Sequence, residues 1–294
     1  MAQDTFRVTL LGSGAPPPSL ERFGPSTLVE AGEQKFIFDA GRGAMQRLHQ
    51  LGIPFGDITG MFLTHHHSDH VVGFPDLWLT GWIGRPWGKR NRPLPVWGPY
   101  GTKQMMEHLP QAFAVDIRVR QRNYPADGVK LLAQEISEGV VLETNGIRIS
   151  AFDVDHGGEE LPAYGYRIDY QGCAVVLSGD TTFNENLIEH AQGADLLVHE
   201  VTAAAGATAE NAQQLKRIAA NHTTPEQAGE IFSRVKPKLA VYNHLLLFGG
   251  ARAEDLIPAT RVKYPGALTV GEDLLQIEVG QDVVATPFEN PGKR

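Results

Sequence analysis

Seven short apolar runs recur along the 294-residue chain, and each closes on glycine, aspartate, glutamate or histidine. "FRVTLLGSG" runs into glycines, "QKFIFDAGRG" closes on Asp39, and "GMFLTHHHSDH" carries an apolar stretch, 61–64, into a histidine cluster. "IRISAFDVDHGG" alternates and then delivers His156. "CAVVLSGDT" ends at Asp180, "ADLLVHE" at His199 and Glu200, and "KLAVYNH" at His244. β-Branched runs bounded by Gly, Pro and Asp are strand signals. Helical spacing lies between them, over 42–51 and over 184–192, where Asn184 is the expected cap and Gly193 the stop. "TPEQAGEIFSRV" offers Thr224 as N-cap, Pro225 at the first helical position and Gln227 three residues past the cap. The pattern predicts a mixed α/β fold, with two sheets packed inside helices. A two-sheet core also accounts for functional residues spread over the whole length. The Pro-rich stretch 85–99 reads as an inserted loop or lid. No repeat and no domain boundary is evident, so residues 1–294 are read as one domain, long enough for a substantial core.

Bulk charge narrows the partners. Lys+Arg number 26 against 34 Asp+Glu, a formal net charge of −8, which gives no support to a nucleic-acid partner, although a local basic patch can suffice. The single cysteine, Cys173, rules out an intramolecular disulfide. No apolar run approaches the roughly 20 residues of a membrane span, and the N-terminus lacks the layout of a signal peptide. The expectation is a soluble cytoplasmic protein with no membrane partner.

The pattern His65-x-His67-x-Asp69-His70 is the strongest chemical signal. In a tight turn after a strand, alternate residues can face one point, so His65 and His67 could serve one metal and Asp69 and His70 a second. The spacing differs from the i, i+4 arrangement of a helical zinc motif. Imidazole and carboxylate without thiolate suit Zn²⁺, with Mn or Fe possible. Four ligands are too few for two metals, and His156, Asp180 and His244 are the candidates to complete the set. A carboxylate such as Asp180 can bridge two cations about 3.5–4 Å apart.

Taken together these motifs resemble the metallo-β-lactamase fold hydrolases. "LLGSGAPPPSLERFGPST", "FDAGRGAMQRL", "LPAYGYRI", "LLVHEV" and "HTTPEQAGEIF" resemble the ribonuclease Z branch. "THHHSDHVVGFPDLWLTGW", "LPVWGPYGTKQMMEHL" and "LSGDTTFNENLIEHAQGADLLVHE" look closer still to its arylsulfatase-type members. The resemblance implies a four-layer αββα sandwich with two metals at the sheet edges. One would take His65, His67, His156 and Asp180; the other Asp69, His70, Asp180 and His244. Asp39 matches an aspartate that supports the ligands without binding metal.

Ribonuclease Z enzymes carry a long tRNA-gripping arm, usually between the residues matching His156 and Asp180. Here 23 residues separate these two, enough for one β-hairpin. With the negative charge, this favours a dinuclear zinc hydrolase of small sulfate or phosphate esters over a tRNA 3′-end endonuclease. Asp180, which classical β-lactamases of this fold lack, argues against a dedicated antibiotic hydrolase, and a promiscuous lactonase or β-lactamase-type hydrolase is the other alternative. The expected partner is then a small-molecule ester, with nucleic acid unlikely and a homodimer implied by the family. Asp69 would orient the attacking water or accept its proton. His222, paired with Glu200, is the expected acid for the leaving oxygen, and His199 would support the site from behind. Trp78, Trp82 and Trp87 are candidates for an aromatic wall holding an aryl leaving group, Trp78 and Trp82 being spaced i, i+4 on one helix face. The basic run "GKRNR", 88–92, reads as a solvated loop or an anion-attracting one.

Overall fold

The computed structural model of the chain describes residues 5–84, 87–158, 160–206 and 212–289. Strands β1 (Phe6–Gly12), β2 (Ser26–Ala31), β3 (Gln34–Phe38), β4 (Gly60–Phe62), β5 (Leu94–Gly98) and β6 (Leu131–Glu135) come first. They are followed by β7 (Gly139–Thr144), β8 (Ile147–Val154), β9 (Ala163–Tyr170), β10 (Cys173–Leu177), β11 (Leu196–Ala204), β12 (Leu239–Phe248) and β13 (Leu268–Val270), then β14 (Gln276–Val279) and β15 (Val283–Thr286). Eight strands form one sheet, in the order β15-β14-β1-β2-β3-β4-β5-β6. Seven form the other, in the order β13-β12-β11-β10-β9-β8-β7.

Side chains alternate between two kinds of buried environment. In β12, Leu239 and Val241 face the core shared by the sheets, while Ala240 and Tyr242 face the helices outside. At β4, Phe62 points inward and Met61 and Leu63 outward. Strands covered on both faces read as continuous apolar runs, which is how they stand out in the sequence. Helices α1 (Ala44–Gln50), α2 (Ser68–Val71), α3 (Phe74–Trp82), α4 (Thr102–Ala112) and α5 (Ala114–Arg120) follow strands of the first sheet. Its outer face packs against Leu48, Leu77, Met106 and Ile117, among others. Helices α6 (Glu185–His190), α7 (Ala212–Ala219), α8 (Pro225–Val235) and α9 (Ala253–Arg261) belong to the second, where Leu187, Ile231 and Leu256 cover the sheet. The layers are therefore helix, sheet, sheet, helix, as expected.

Local signals behave as their chemistry dictates. Asn184 Oδ1 accepts the Leu187 N–H at 3.0 Å and caps α6. Thr224 and Gln227 form a reciprocal capping box at α8. One hairpin, β9–β10, fills the interval between His156 and Asp180, turning at Gln171 and Gly172, both with positive φ.

The stretch 85–99 departs from expectation: Leu94–Gly98 is the interior strand β5, parallel to both β4 and β6. Its prolines suggested a loop, yet the ladder survives Pro95 because the Leu94 N–H still reaches Lys130 O, and Trp97 O accepts from Leu63 N. Arg90, expected in a solvated or anion-attracting loop, is buried. It donates to Gly128 O and Trp78 O, and burial beside Arg92 lowers its pKa to about 10.

Candidate metal centre

The ends of three strands and the middle of a fourth deliver the site. The β4 end leads into Thr64 and the histidines, and His67 caps α2, whose first turn holds Asp69 and His70. His156 follows β8, Asp180 follows β10, and His244 lies inside β12. Sequence distances of up to 179 residues thus collapse onto one edge of the sandwich.

Asp180 Oδ2 stands at the centre. His244 Nε2 lies 3.2 Å from it, His70 Nε2 3.3 Å, His156 Nε2 3.8 Å and His65 Nε2 3.9 Å. On one side His67 Nδ1 is 3.0 Å from His65 Nε2 and 3.1 Å from His156 Nε2. On the other, Asp69 Oδ2 is 3.4 Å from His244 Nε2 and 3.6 Å from His70 Nε2. All seven sequence-expected ligands converge, in two donor groups that share Asp180. His66, between two of them, turns away, with Nε2 3.0 Å from Thr102 Oγ1.

The side chains behind the ligands fix which nitrogen is free. Asp39 Oδ2 accepts from His70 Nδ1 at 2.7 Å and from Thr64 Oγ1 at 2.7 Å, while Asp39 Oδ1 accepts the Thr64 N–H. Thr64 Oγ1 in turn accepts from His65 Nδ1 at 2.9 Å. His156 Nδ1 donates to Asn221 O at 2.8 Å. In each case Nε2 is left as the inward-facing donor atom. The sequence marked Asp39 but not Thr64 or Asn221. A threonine between an apolar run and a histidine cluster reads as the end of the strand, and a backbone carbonyl carries no residue signal.

The electrostatics agree with a cation-binding role. Burial, reinforced by the neighbouring His70 charge, holds His65 well below its ordinary pKa. Burial likewise lowers His67 and His156, so these imidazoles keep the lone pair a metal needs. Burial opposes ionisation of Asp180, yet the imidazoles of His244, His70 and His65 hold its carboxyl well below the usual range. His70 differs: burial opposes its charge, but Asp180 and Asp39 outweigh burial and raise its pKa well above the ordinary value. Its Nε2 lies 3.3 Å from Asp180 Oδ2, an arrangement in which a cation can take the place of that proton. The donor set is five imidazoles and two carboxylates, and it fits two divalent cations.

His222 lies against this centre. Its Nδ1 is 3.2 Å from Glu200 Oε1, which also accepts the Thr223 N–H at 3.0 Å and the Thr181 N–H at 3.3 Å. Burial opposes a charge on His222, but the bond to Glu200 and its negative charge outweigh it and raise the pKa. Donor atoms of His156, Asp180 and His222 lie within 4.8 Å of one another, as do those of Glu200, His222 and His244. His199 turns to its own chain: Nδ1 faces Glu200 O at 2.7 Å and the ring packs on Phe232. Burial lowers its pKa to about 4.

The aromatic-wall expectation needs correcting. Trp78 and Trp82 do share one face of α3, but both are fully buried in the core beneath the first sheet. Their indole N–H groups donate to Val129 O and Pro125 O. A side chain with no exposed surface cannot hold a leaving group. Trp87 is half exposed and borders a groove with Phe23, Met45, His49, Gln50 and Phe55, none of them a site residue.

A family model for the beta-lactamase superfamily domain matches residues 34–245, and the chain belongs to that superfamily, as a metal-dependent hydrolase of ester bonds. Its relatives place it in the ribonuclease Z branch. It is 33% identical over 285 residues to the ribonuclease Z of Mycolicibacterium gilvum (strain PYR-GCK), an alignment spanning 96% of this chain and 99% of that protein. It is 34% identical over 277 residues to the ribonuclease Z of Mycobacterium bovis (strain BCG / Pasteur 1173P2), spanning 93% and 98%. Among solved structures, human tRNase Z, short form, superposes with a TM-score of 0.69 at 20% identity over 93% of this chain and 99% of that one. The metallo-beta-lactamase fold protein YhfI of Bacillus subtilis gives 0.74 at 18% identity over 94% and 100%. These two likenesses concern the fold.

The relatives overturn the expected partner, a small-molecule ester with nucleic acid unlikely. That expectation rested on the missing arm and on the net charge. The M. gilvum ribonuclease Z is spanned over 99% of its length by this chain, which leaves no room in it for a long arm that the chain lacks. Net charge is an average over the whole surface and does not exclude a local anion-binding face.

Proposed function

We propose that the chain is a dinuclear zinc phosphodiesterase of ribonuclease Z type that trims the 3′ ends of tRNA precursors. The hydrolytic chemistry is carried by one observation: Asp180 Oδ2 lies 3.2–3.9 Å from imidazole nitrogens of both donor groups, the position of a bridging ligand. The RNA substrate rests on the near end-to-end similarity to ribonucleases Z. A soluble cytoplasmic homodimer is part of the proposal. No helix among the described residues is long and apolar enough to cross a membrane.

His65, His67, His156 and Asp180 would hold one cation, and Asp69, His70, Asp180 and His244 the other. Two divalent cations there supply Lewis acidity, which brings water deprotonation toward neutral pH and offsets charge developing on the phosphate. The remaining work falls to side chains. Asp69 Oδ2, within 3.4–3.6 Å of two ligand nitrogens, orients the attacking water and takes its proton. Glu200 engages His222 Nδ1, so Nε2 is the nitrogen that delivers a proton to the leaving oxygen. Glu200 also keeps that proton in place, since its charge favours the imidazolium.

Turnover of a tRNA precursor, a nitrophenyl phosphodiester and nitrophenyl sulfate, measured side by side, tests the reading. We expect a single endonucleolytic cut at the tRNA 3′ end, slower phosphodiester turnover and no sulfatase activity. Sulfate-ester turnover without tRNA cleavage would overturn it.

A further inference from the structure

The ligand His244 sits in a strained place. In the parallel ladder between β11 and β12, Glu200 pairs with Asn243 and the next pair is Val201 with Leu245, so His244 is an extra, unpaired residue. Its φ is +45°, a left-handed conformation that a non-glycine residue holds only where its surroundings enforce it. Those surroundings can be traced. The N–H of Leu245, the first residue past the bulge, donates to Ser13 O at 3.0 Å. Ser13 is held by Asp273, whose Oδ1 accepts both the Ser13 N–H and its Oγ–H at 2.8 Å. Arg22 Nη1 donates to the same hydroxyl. Asp273 Oδ2 accepts the Phe23 N–H at 2.8 Å and faces Arg47 Nε and Nη2, each at 3.0 Å. The turn that carries Asp273 also grips β12 on the other side of the bulge, where the Gly271 N–H donates to Tyr242 O at 2.8 Å. The bulge is therefore clamped on both flanks by one turn, with a buried carboxylate as its hub.

We propose that Asp273 is a positioning residue for His244, acting through Ser13 and Leu245 to hold the bulge that aims the imidazole at Asp69 and Asp180. The inference rests on the metal-centre reading above. Asp273 touches no reacting atom. Its effect falls on the half-site that contains His244, and the half-site of His65, His67 and His156 is held by other elements.

Metal-to-protein ratio by elemental mass spectrometry, with chelator competition for each ion, tests this in the whole chain. Asp273→Asn keeps the shape and removes the charge, and should weaken the second ion roughly 10–100-fold while leaving the first unchanged. Ser13→Ala, a milder change, should move the second ion in the same direction by less, and it carries the test alone if Asp273→Asn does not fold. In a His244→Ala background, Asp273→Asn should bring no further loss. Equal weakening of both ions, or a lowered Tm with both affinities kept, would show a merely structural role and overturn the proposal. Two ions in the wild type with unchanged affinities in both variants would overturn it while sparing the metal centre. A wild-type chain that binds no second ion would remove the metal-centre reading and this inference with it.

Discussion

Residues 64–70 and residues 78–97 look alike in one respect: each concentrates side chains that functional sites favour. In the structure they part. The histidine-rich turn sends His65, His67, Asp69 and His70 to one point beside Asp180. The tryptophan-rich stretch sends Trp78 and Trp82 under the first sheet and Trp97 into the core between the sheets, stacked on Phe62 at 4.6 Å. The difference is one of polarity against periodicity. Imidazoles and carboxylates crowded after an apolar strand have no low-energy home in a core unless something pairs them. Large apolar rings at i, i+4 spacing have one in any helix that covers a sheet.

That contrast can be broken by substitution. The largest effect should come from Asp180→Ala, which removes the shared carboxylate. Both ions should be lost and tRNA cleavage should fall to background, while circular dichroism still shows a folded chain. Next, Trp78→Ala should destabilise by about 3–5 kcal/mol in denaturant melts, yet the fraction that remains folded should hold two ions. Metal loss without a stability change would reverse the assignment of that tryptophan. His222→Ala should lower kcat by roughly 10²–10⁴-fold with both ions retained. Because Glu200 raises the His222 pKa, the protonated acid persists to higher pH than for a free imidazole, and kcat should decline only as pH rises through that raised value. In His222→Ala this alkaline limb should disappear. The smallest effects belong to Trp87→Ala, within about 0.5 kcal/mol of wild type in stability, and to His66→Ala, which should keep both ions because His66 faces Thr102.

Much of this cluster was legible because all but one of its seven expected ligands are polar residues just past strand ends, where the sequence leaves a mark; His244 lies within β12. The layers were legible for the same reason, since strands buried on two faces are continuous apolar runs. Three features left no such mark. β5 hid behind Pro95 and the prolines that flank the strand, although the ladder holds around Pro95. Arg90 hid in a basic run, although its guanidinium is satisfied by buried carbonyls. The Ser13–Asp273 clamp joins residues 260 apart through one carboxylate, so no local pattern could announce it. The substrate was misjudged on physical grounds too coarse for the question: total charge and the length of one interval describe the chain, not the surface an RNA would meet.

Anomalous diffraction from metal-loaded crystals would test the central claim most directly. We expect two peaks bridged by Asp180, one among His65, His67 and His156, the other among Asp69, His70 and His244. A single peak, or a second ion held by Glu200, His222 and His244 in its place, would contradict it.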